Sequence, residues 1–255
     1  MSKMKLSSII IAKNEEMNIR RCLDSQIGLI DDIVLIIDST TTDHTFKYAS
    51  EYPGINCEIA DWRGFAETKN YALSKTKNDW VFWIDADEEI TPELRTELLL
   101  FKESTPDLNA FSVARRAYFL GKWIKHSGWY PSKVVRLFNK NFAVFNNKPV
   151  HEGLEIQGNV GNLNNDLNHF TNPNIEHYFK KFNIYTSLAA NELFNKGRTT
   201  SLCDFLIRPL FIFLKMYIFR LGFLDGINGF ILALFSSYYV FTKYAKLWEL
   251  NRNKK

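Results

Sequence analysis

The sequence predicts an α/β fold, a mostly parallel sheet with helices on both faces, continued at the C-terminus by a helical extension. Three observations predict it. Through the first hundred residues short β-branched runs alternate with segments of helical periodicity, as in βαβ units whose parallel strands are joined by crossover helices. Hydrophobic residues at 46% and charged residues at 24% are enough for a large core and too mixed for a disordered chain or a polytopic membrane protein. After residue 200 the character changes: residues 202–255 hold eight Lys/Arg against three Asp/Glu, so the net charge of +4 lies entirely in that tail. A length of 255 residues then divides into a main domain over 1–200, with halves 1–108 and 109–200, and an extension over 201–255.

The elements follow in order. Leu6–Ala12, Ile33–Asp38, Ile55–Asp61 and Trp80–Asp85 read as strands, being short, apolar and rich in branched or aromatic side chains. Between them, Asn14 and Glu15 open a helix through Cys22, Asp43 caps one through Tyr52, and Phe65–Ser74 makes a third. Thr91-Pro92-Glu93 starts a fourth, with a capping hydroxyl followed by proline at the first helical position. From Asn109 the pattern turns to aromatic-rich strands, Ala110–Tyr118 and Val134–Phe138, separated by the loop Gly121–Ser132. Residues 146–172 read as short strands and loops, and Asn174–Lys196 regains helical periodicity. In the tail, Phe205–Phe219 and Gly226–Thr242 are apolar, the second with 17 uncharged residues in a row, short of the ~20 that a spanning helix wants. On a helix Asp204, Arg208 and Lys215 fall on one narrow stripe of an otherwise apolar cylinder, which suits a helix lying in a membrane interface; a buried helical hairpin is the other reading.

Several function classes drop out. The basic excess is confined to the tail, whereas a nucleic-acid surface spreads Lys and Arg over a folded face, so no nucleic-acid partner is expected. Cys22, Cys57 and Cys203 make neither a disulfide framework nor a zinc spacing, which suits a reduced compartment, and the apolar run after Lys5 meets Lys13, Glu15 and Glu16 too soon for an export signal.

In open α/β sheets ligands bind outside the carboxyl ends of the strands. There the first strand ends at Ala12 and runs into Lys13-Asn14-Glu15, the second ends at Asp38, and the fourth runs into Asp85-Ala86-Asp87. Two carboxylates at i and i+2 before a turn can converge on one hard cation, which can in turn hold a diphosphate, although acidic pairs at strand ends also serve as turn formers. Asp38 can accept a hydrogen bond from a base imide N–H or act as a cap, and Lys69 can bring a cation near a nucleotide or lie solvated.

Together these segments carry a resemblance. IIIAKNEEMNIRRCLDS, IDSTTTDHT and WRGFAETKNYALSKTKNDWVFWIDADEEITPEL resemble the N-terminal half of family 2 glycosyltransferases of GT-A fold. GWYPSKVVRLFNK, PVHEGL, DLNHF and the tail IFRLGFLDGINGFILALFSSYYVFTKYAKL are similar to the bacterial branch that builds lipopolysaccharide and lipooligosaccharide cores. One departure is Ser39-Thr40-Thr41-Thr42-Asp43, where the branch usually has Ser-Gly-Ser-Thr-Asp. The resemblance implies a nucleotide-sugar donor cradled by Ala12, Asn14, Glu15, Asp38 at the base, Lys69 near the base or diphosphate, and Asp85 at the ribose. It implies Asp87 as ligand of a Mg²⁺ or Mn²⁺ ion with His169 completing the metal site or the diphosphate pocket, Arg136 facing the departing diphosphate, and Glu152 as the general base.

The expected reaction is inverting hexosyl transfer from a nucleotide-diphosphate sugar, expected to be a UDP-sugar, to a hydroxyl of a lipid-linked cell-surface glycan such as lipopolysaccharide core. Partners would be the donor, the lipid-linked oligosaccharide acceptor and the inner-leaflet surface, at the cytoplasmic face of the bacterial inner membrane, where the chain would sit as a peripheral or monotopic protein. A polyprenyl-phosphate sugar transferase and a non-catalytic membrane-bound scaffold are the alternatives. A nucleotidyltransferase is disfavoured, because residues 1–60 have only Gly28 and Gly54 and so lack a glycine-rich loop after the first strand.

Overall fold

The computed structural model describes residues 3–146 and 153–253. The β-branched runs become β1 (Leu6–Ala12), β2 (Asp32–Asp38), β3 (Asn56–Ala60) and β4 (Trp80–Trp83). All four are parallel, in the order β3-β2-β1-β4. Alternate side chains of these strands enter different cores, as a sheet covered on both faces requires. Ile10, Leu35, Ile37 and Phe82 pack with Ile19, Cys22 and Leu23 of α1 (Ile19–Asp24), whereas Ile9, Val34, Ile36 and Val81 pack with Ala66, Ala72 and Leu73 on the opposite face. Between them in sequence, α2 (Thr45–Ala49) adds Ala49 to the first core, and α3 (Phe65–Ser74) supplies the cover of the second.

Two helix starts differ from the sequence expectation. Asn14 has φ +55°, in the left-handed region, so no helix begins there and α1 starts at Ile19. The Asp43 carboxylate does accept from the Thr45 N–H at 2.9 Å, but α2 ends at Ala49 rather than Tyr52.

Beyond β4 the sheet continues with β5 (Glu88–Ile90), α4 (Pro92–Phe101), β6 (Ala110–Phe119), β7 (Lys122–Trp123), β8 (Ser132–Asn139), β9 (Ala143–Phe145), β10 (Leu154–Ile156) and β11 (Val160–Asn172). Thr91 caps α4 as expected, accepting from the Leu94 N–H at 3.2 Å. The order runs on as β4-β8-β6-β11-β5, and β9 and β10 form a separate hairpin. The order therefore reverses at β1: β2 and β3 lie on one side and β4 on the other, which puts the ligand crevice outside the carboxyl ends of β1 and β4. In the region 146–172 the short strand β10 meets the expectation of short strands and loops, but residues 160–172 do not. Those residues form the 13-residue strand β11, whose Asn-rich sequence hid it because its exposed face is polar along most of its length.

The described residues form two compact units, one within Met1–Arg115 and Ser132–His169, the other within Arg116–Pro131 and Phe170–Lys255. A boundary at residue 200 is not where the structure divides. The loop after β6 and the helix α5 (Ile175–Asn195) go with α6 (Leu202–Leu214), the π-helical turn Lys215–Phe219, the 3₁₀ turn Gly222–Asp225 and α7 (Ile227–Asn253). In this second unit Phe119, Ile124 and Leu232 make one core, and Ala190, Tyr244 and Leu247 another. Among the described residues no helix is long and apolar enough to cross a membrane.

Candidate active site

The site is built on the turns that leave β1, β2 and β4. Ala12 closes β1 in the core, and the next two turns are stitched together. Asn14 Oδ1 accepts from the Thr42 N–H at 2.9 Å, the Glu15 N–H donates to Thr45 Oγ1 at 2.7 Å, and the Glu16 N–H donates to Asp43 Oδ2 at 3.0 Å. Glu16 Oε2 accepts in return from the His44 N–H at 3.0 Å. No residue from Ser39 to Asp43 has a positive φ, so threonine at position 40 needs no glycine-like backbone and the turn closes without strain.

Asp38 is buried at the end of β2. Its Oδ1 accepts from the Thr40 N–H at 2.8 Å and the Thr40 hydroxyl at 2.7 Å, and Oδ2 lies 3.0 Å from Lys13 Nζ. The Thr40 hydroxyl, with Lys13 in support, holds its carboxyl below the usual range despite burial, so Asp38 is an ionised acceptor at neutral pH.

After β4, residues 85–88 fold into a closed turn. The Asp85 N–H donates to Glu88 Oε2 at 3.0 Å and the Glu88 N–H to the Asp85 carbonyl at 2.9 Å. Ala86 packs into the core beneath, while Asp85 and Asp87 keep access to solvent, at 32% and 13% side-chain exposure. Beneath the turn sits Arg136 of β8, 1% exposed, with Nη2 2.5 Å from Asp85 Oδ2 and 2.6 Å from Glu88 Oε1. Its guanidinium lies 4.2 Å from the centre of the Trp83 ring, and Lys69 Nζ of α3 lies 4.0 Å from the same ring. Arg115 adds a weaker contact to Glu88 at 3.7 Å. A buried charge is tolerable only when paired, and here three carboxylates, Asp85, Asp87 and Glu88, gather around Lys69, Arg115 and Arg136.

These neighbours divide the acids. Burial raises the Asp85 carboxyl, but the Arg136 guanidinium and the Lys69 ammonium outweigh it and hold Asp85 at about 2. Burial prevails for Glu88 and pushes its carboxyl up, with Arg136 opposing. Asp85 therefore stays anionic, facing the crevice, while Glu88 braces the turn from below.

His169 arrives from far away in sequence. Antiparallel pairing of β11 with β5 sets His169 opposite Glu88, and its Nε2 lies 3.4 Å from Asp87 Oδ2. Asp87 and His169 thus form the hard oxygen and imidazole pair that the family resemblance implies around a divalent ion. Among the described residues no three His, Cys, Asp or Glu side chains converge on one point, so a Mg²⁺ or Mn²⁺ ion held there would take its remaining ligands from diphosphate oxygens and water, the usual arrangement for Mg²⁺. The pair fits such an ion.

The sequence-predicted residues Ala12, Asn14, Glu15, Asp38, Lys69, Asp85, Asp87, Arg136 and His169 all belong to one compact unit. Arg136 differs from its expected place: it is enclosed beneath Asp85 and Trp83, so it bears on the crevice through Asp85 rather than by facing a departing group. Glu152 lies outside the described residues. Glu88 was not singled out from sequence; its only signal was a third acid directly after the Asp-Ala-Asp run.

A family model for glycosyl transferase family 2 matches residues 7–171. The lipopolysaccharide core biosynthesis glycosyltransferase LpsC of Rhizobium meliloti (strain 1021) is 30% identical over 254 residues, covering 97% of this chain and 93% of its own. An uncharacterized glycosyltransferase of Rickettsia typhi is also 30% identical, covering 97% of this chain and 88% of its own. Among solved structures, a mannosyltransferase of Pyrobaculum calidifontis in complex with GDP-Man and Mn²⁺ aligns with TM-score 0.54 at 14% identity, over 97% of this chain and 88% of that one. With a GT-A fold whose switch point carries the acidic turn, and a family match over most of its length, the chain is a glycosyltransferase and belongs to glycosyl transferase family 2.

Proposed function

We propose that the chain moves a hexose from a UDP-sugar to a hydroxyl of a lipid-linked glycan of the lipopolysaccharide-core type, with inversion at the anomeric carbon. The observation that carries the reading is the Asp85-Ala86-Asp87 turn at the switch point, held open to the crevice by Arg136 and Glu88 and joined by His169. The acceptor class rests on the full-length similarity to LpsC, whose name assigns it to lipopolysaccharide core biosynthesis. Such an acceptor is met at the cytoplasmic leaflet of the inner membrane.

In this reading Asp38 accepts from the base imide, Asp85 from the ribose hydroxyls, and the turns of Asn14 and Glu15 line the donor. Asp87 and His169 would hold a divalent ion, which would supply neutralising charge to the diphosphate. Lys69, between the aromatic rings of Trp83, Phe65 and Phe145, adds positive charge to the same side of the crevice. The acceptor hydroxyl is a poor nucleophile near neutral pH, so a carboxylate takes its proton as its oxygen bonds to C1 and the bond from C1 to the diphosphate oxygen breaks. Glu152 takes that role by its match to the family's His-Glu motif. Attack from the face opposite the leaving group converts an α-linked donor into a β-glycoside.

The test is a thermal-shift comparison of UDP, GDP and ADP with and without Mn²⁺, since a ligand bound only by the native state raises its melting point. A metal-dependent shift with UDP, lost in Asp87→Asn, supports the donor assignment; a shift with another nucleotide alone rejects it. Glu152→Gln should lower kcat by at least ~10². Unchanged transfer in that variant rejects the base, and a phosphate acceptor, which needs none, then replaces the hydroxyl.

A further inference from the structure

α6 is built inside out. Of its polar stripe only Asp204 is turned inward: it is 2% exposed, accepts from the Ser201 N–H at 2.9 Å, and lies 2.5 Å from Arg208 Nε, while the Arg208 and Lys215 side chains stay exposed. On the same side the Pro209 carbonyl accepts from the Ser237 hydroxyl of α7 at 2.8 Å, and the Arg208 guanidinium sits 5.5 Å from the Tyr244 ring. The outward half of the helix presents Leu202, Leu206, Ile207, Leu210 and Phe211, which are 78%, 66%, 60%, 59% and 55% exposed and spread over about 180° of its circumference. Ile218, Phe219, Phe223, Leu224 and Ile227, which follow in the chain, are exposed as well. So much exposed apolar side chain on a single stretch is rare on a soluble monomer and marks an interaction site.

The charges on this stretch name the occupant. Between residues 202 and 234 the acids are Asp204 and Asp225, and both are buried; Asp225 accepts from the His126 N–H at 2.9 Å and the Lys125 N–H at 3.2 Å. The cations Arg208, Lys215 and Arg220 are exposed. What this stretch shows to its surroundings is therefore apolar and cationic, with its negative charge turned inward. A second copy of the same face would oppose cation to cation. α6, at 13 residues, is too short to span a bilayer and suited to lie along one.

We propose that the outward face of α6, continued through Ile227, inserts into the headgroup boundary of an anionic lipid bilayer, with Lys215 and Arg220 meeting lipid phosphates. The proposal deepens the reading of a lipid-linked acceptor by naming the surface that reaches its membrane, and rests on that reading only for the purpose of docking.

The experiment is co-sedimentation of the full chain with vesicles of phosphatidylglycerol and phosphatidylethanolamine, and with phosphatidylcholine vesicles, at low and high salt. A triple variant, Leu206→Gln, Leu210→Gln, Phe211→Gln, changes only exposed side chains, and Lys215→Glu tests the charge. Wild type should pellet with the anionic vesicles and be loosened only partly by salt; the triple variant should bind roughly tenfold more weakly or worse, and Lys215→Glu should weaken the anionic preference. Melting temperature and the UDP shift with Mn²⁺ should be unchanged in both. Wild type that stays in the supernatant, or that self-associates in a manner abolished by the triple variant without vesicle binding, overturns the proposal. Vesicle binding without any nucleotide shift upholds this face and rejects the proposed donor instead.

Discussion

In the sheet unit every parallel strand sends apolar side chains to both faces, and the polar groups that matter collect where the strands end. In the helical unit α7 (Ile227–Asn253) packs Leu232, Ala233, Tyr244 and Leu247 inward, but α6 buries the Asp204 carboxylate and leaves its leucines outward. Both arrangements pair their buried charges: Arg136 has two carboxylates, and Asp204 has a capping serine and an arginine. The difference is where the apolar surface goes. The first unit removes it from water by folding, so its stability and its chemistry are set within the chain; the second leaves part of it for something outside the chain.

Substitutions can break this comparison. The largest expected effect is on turnover: Asp87→Asn should lower kcat by about 10³ or more, the upper range for removing one charge-stabilising group, with the melting temperature nearly unchanged because the side chain faces the crevice. If activity persists, the acidic turn is structural. Next comes Arg136→Leu, which leaves the buried Glu88 and the partly exposed Asp85 without their cation and should cost about 3–5 kcal/mol in urea unfolding. A loss under 1 kcal/mol would show that Arg115 and Lys69 suffice to hold the acids.

Within the helical unit the contrast is sharper. Leu247→Ala, at a fully buried position, should destabilise by about 2–4 kcal/mol, while Leu210→Gln on the outward face of α6 should change stability by no more than about 0.5 kcal/mol. Equal losses at the two positions would mean that the α6 face is covered in solution. The smallest effect concerns acid. Asp85 titrates at about 2 in the folded chain against an ordinary 3.8, so its pairing stabilises above the ordinary value and is lost as pH falls through the folded one. The stability gap between wild type and Asp85→Asn should therefore be widest near neutral pH and close between about 4 and 2.

The parallel strands were legible in the sequence because a strand buried on both faces is a continuous branched apolar run, and β1 and α3 have the expected bounds. The acidic turn was legible because it follows such a run directly. What escaped was long-range or directional. The link between Arg136 and Asp85 spans 51 residues, and the approach of His169 to Asp87 depends on an antiparallel pairing with β5, a strand of three residues. Periodicity located the stripe of Asp204 and Arg208 on α6 but carries no information about which side of a helix its neighbours take. Within that stripe the packing buries Asp204 and leaves Arg208 and Lys215 exposed.

The hydrogen bonds that tie Asn14, Glu15 and Glu16 to Thr42, Thr45 and Asp43 have a consequence for protein engineering. The segments after β1 and β2 behave as one woven part: each supplies the partners that hold the other's backbone. Transplanting only the Thr-rich segment from a relative without Asp43 and Thr45 would strand the Glu15 and Glu16 amides, whose acceptors are those two side chains. A workable exchange carries residues 13–18 and 38–45 together, so recombination that swaps donor preference in this fold should have its crossover points outside that pair.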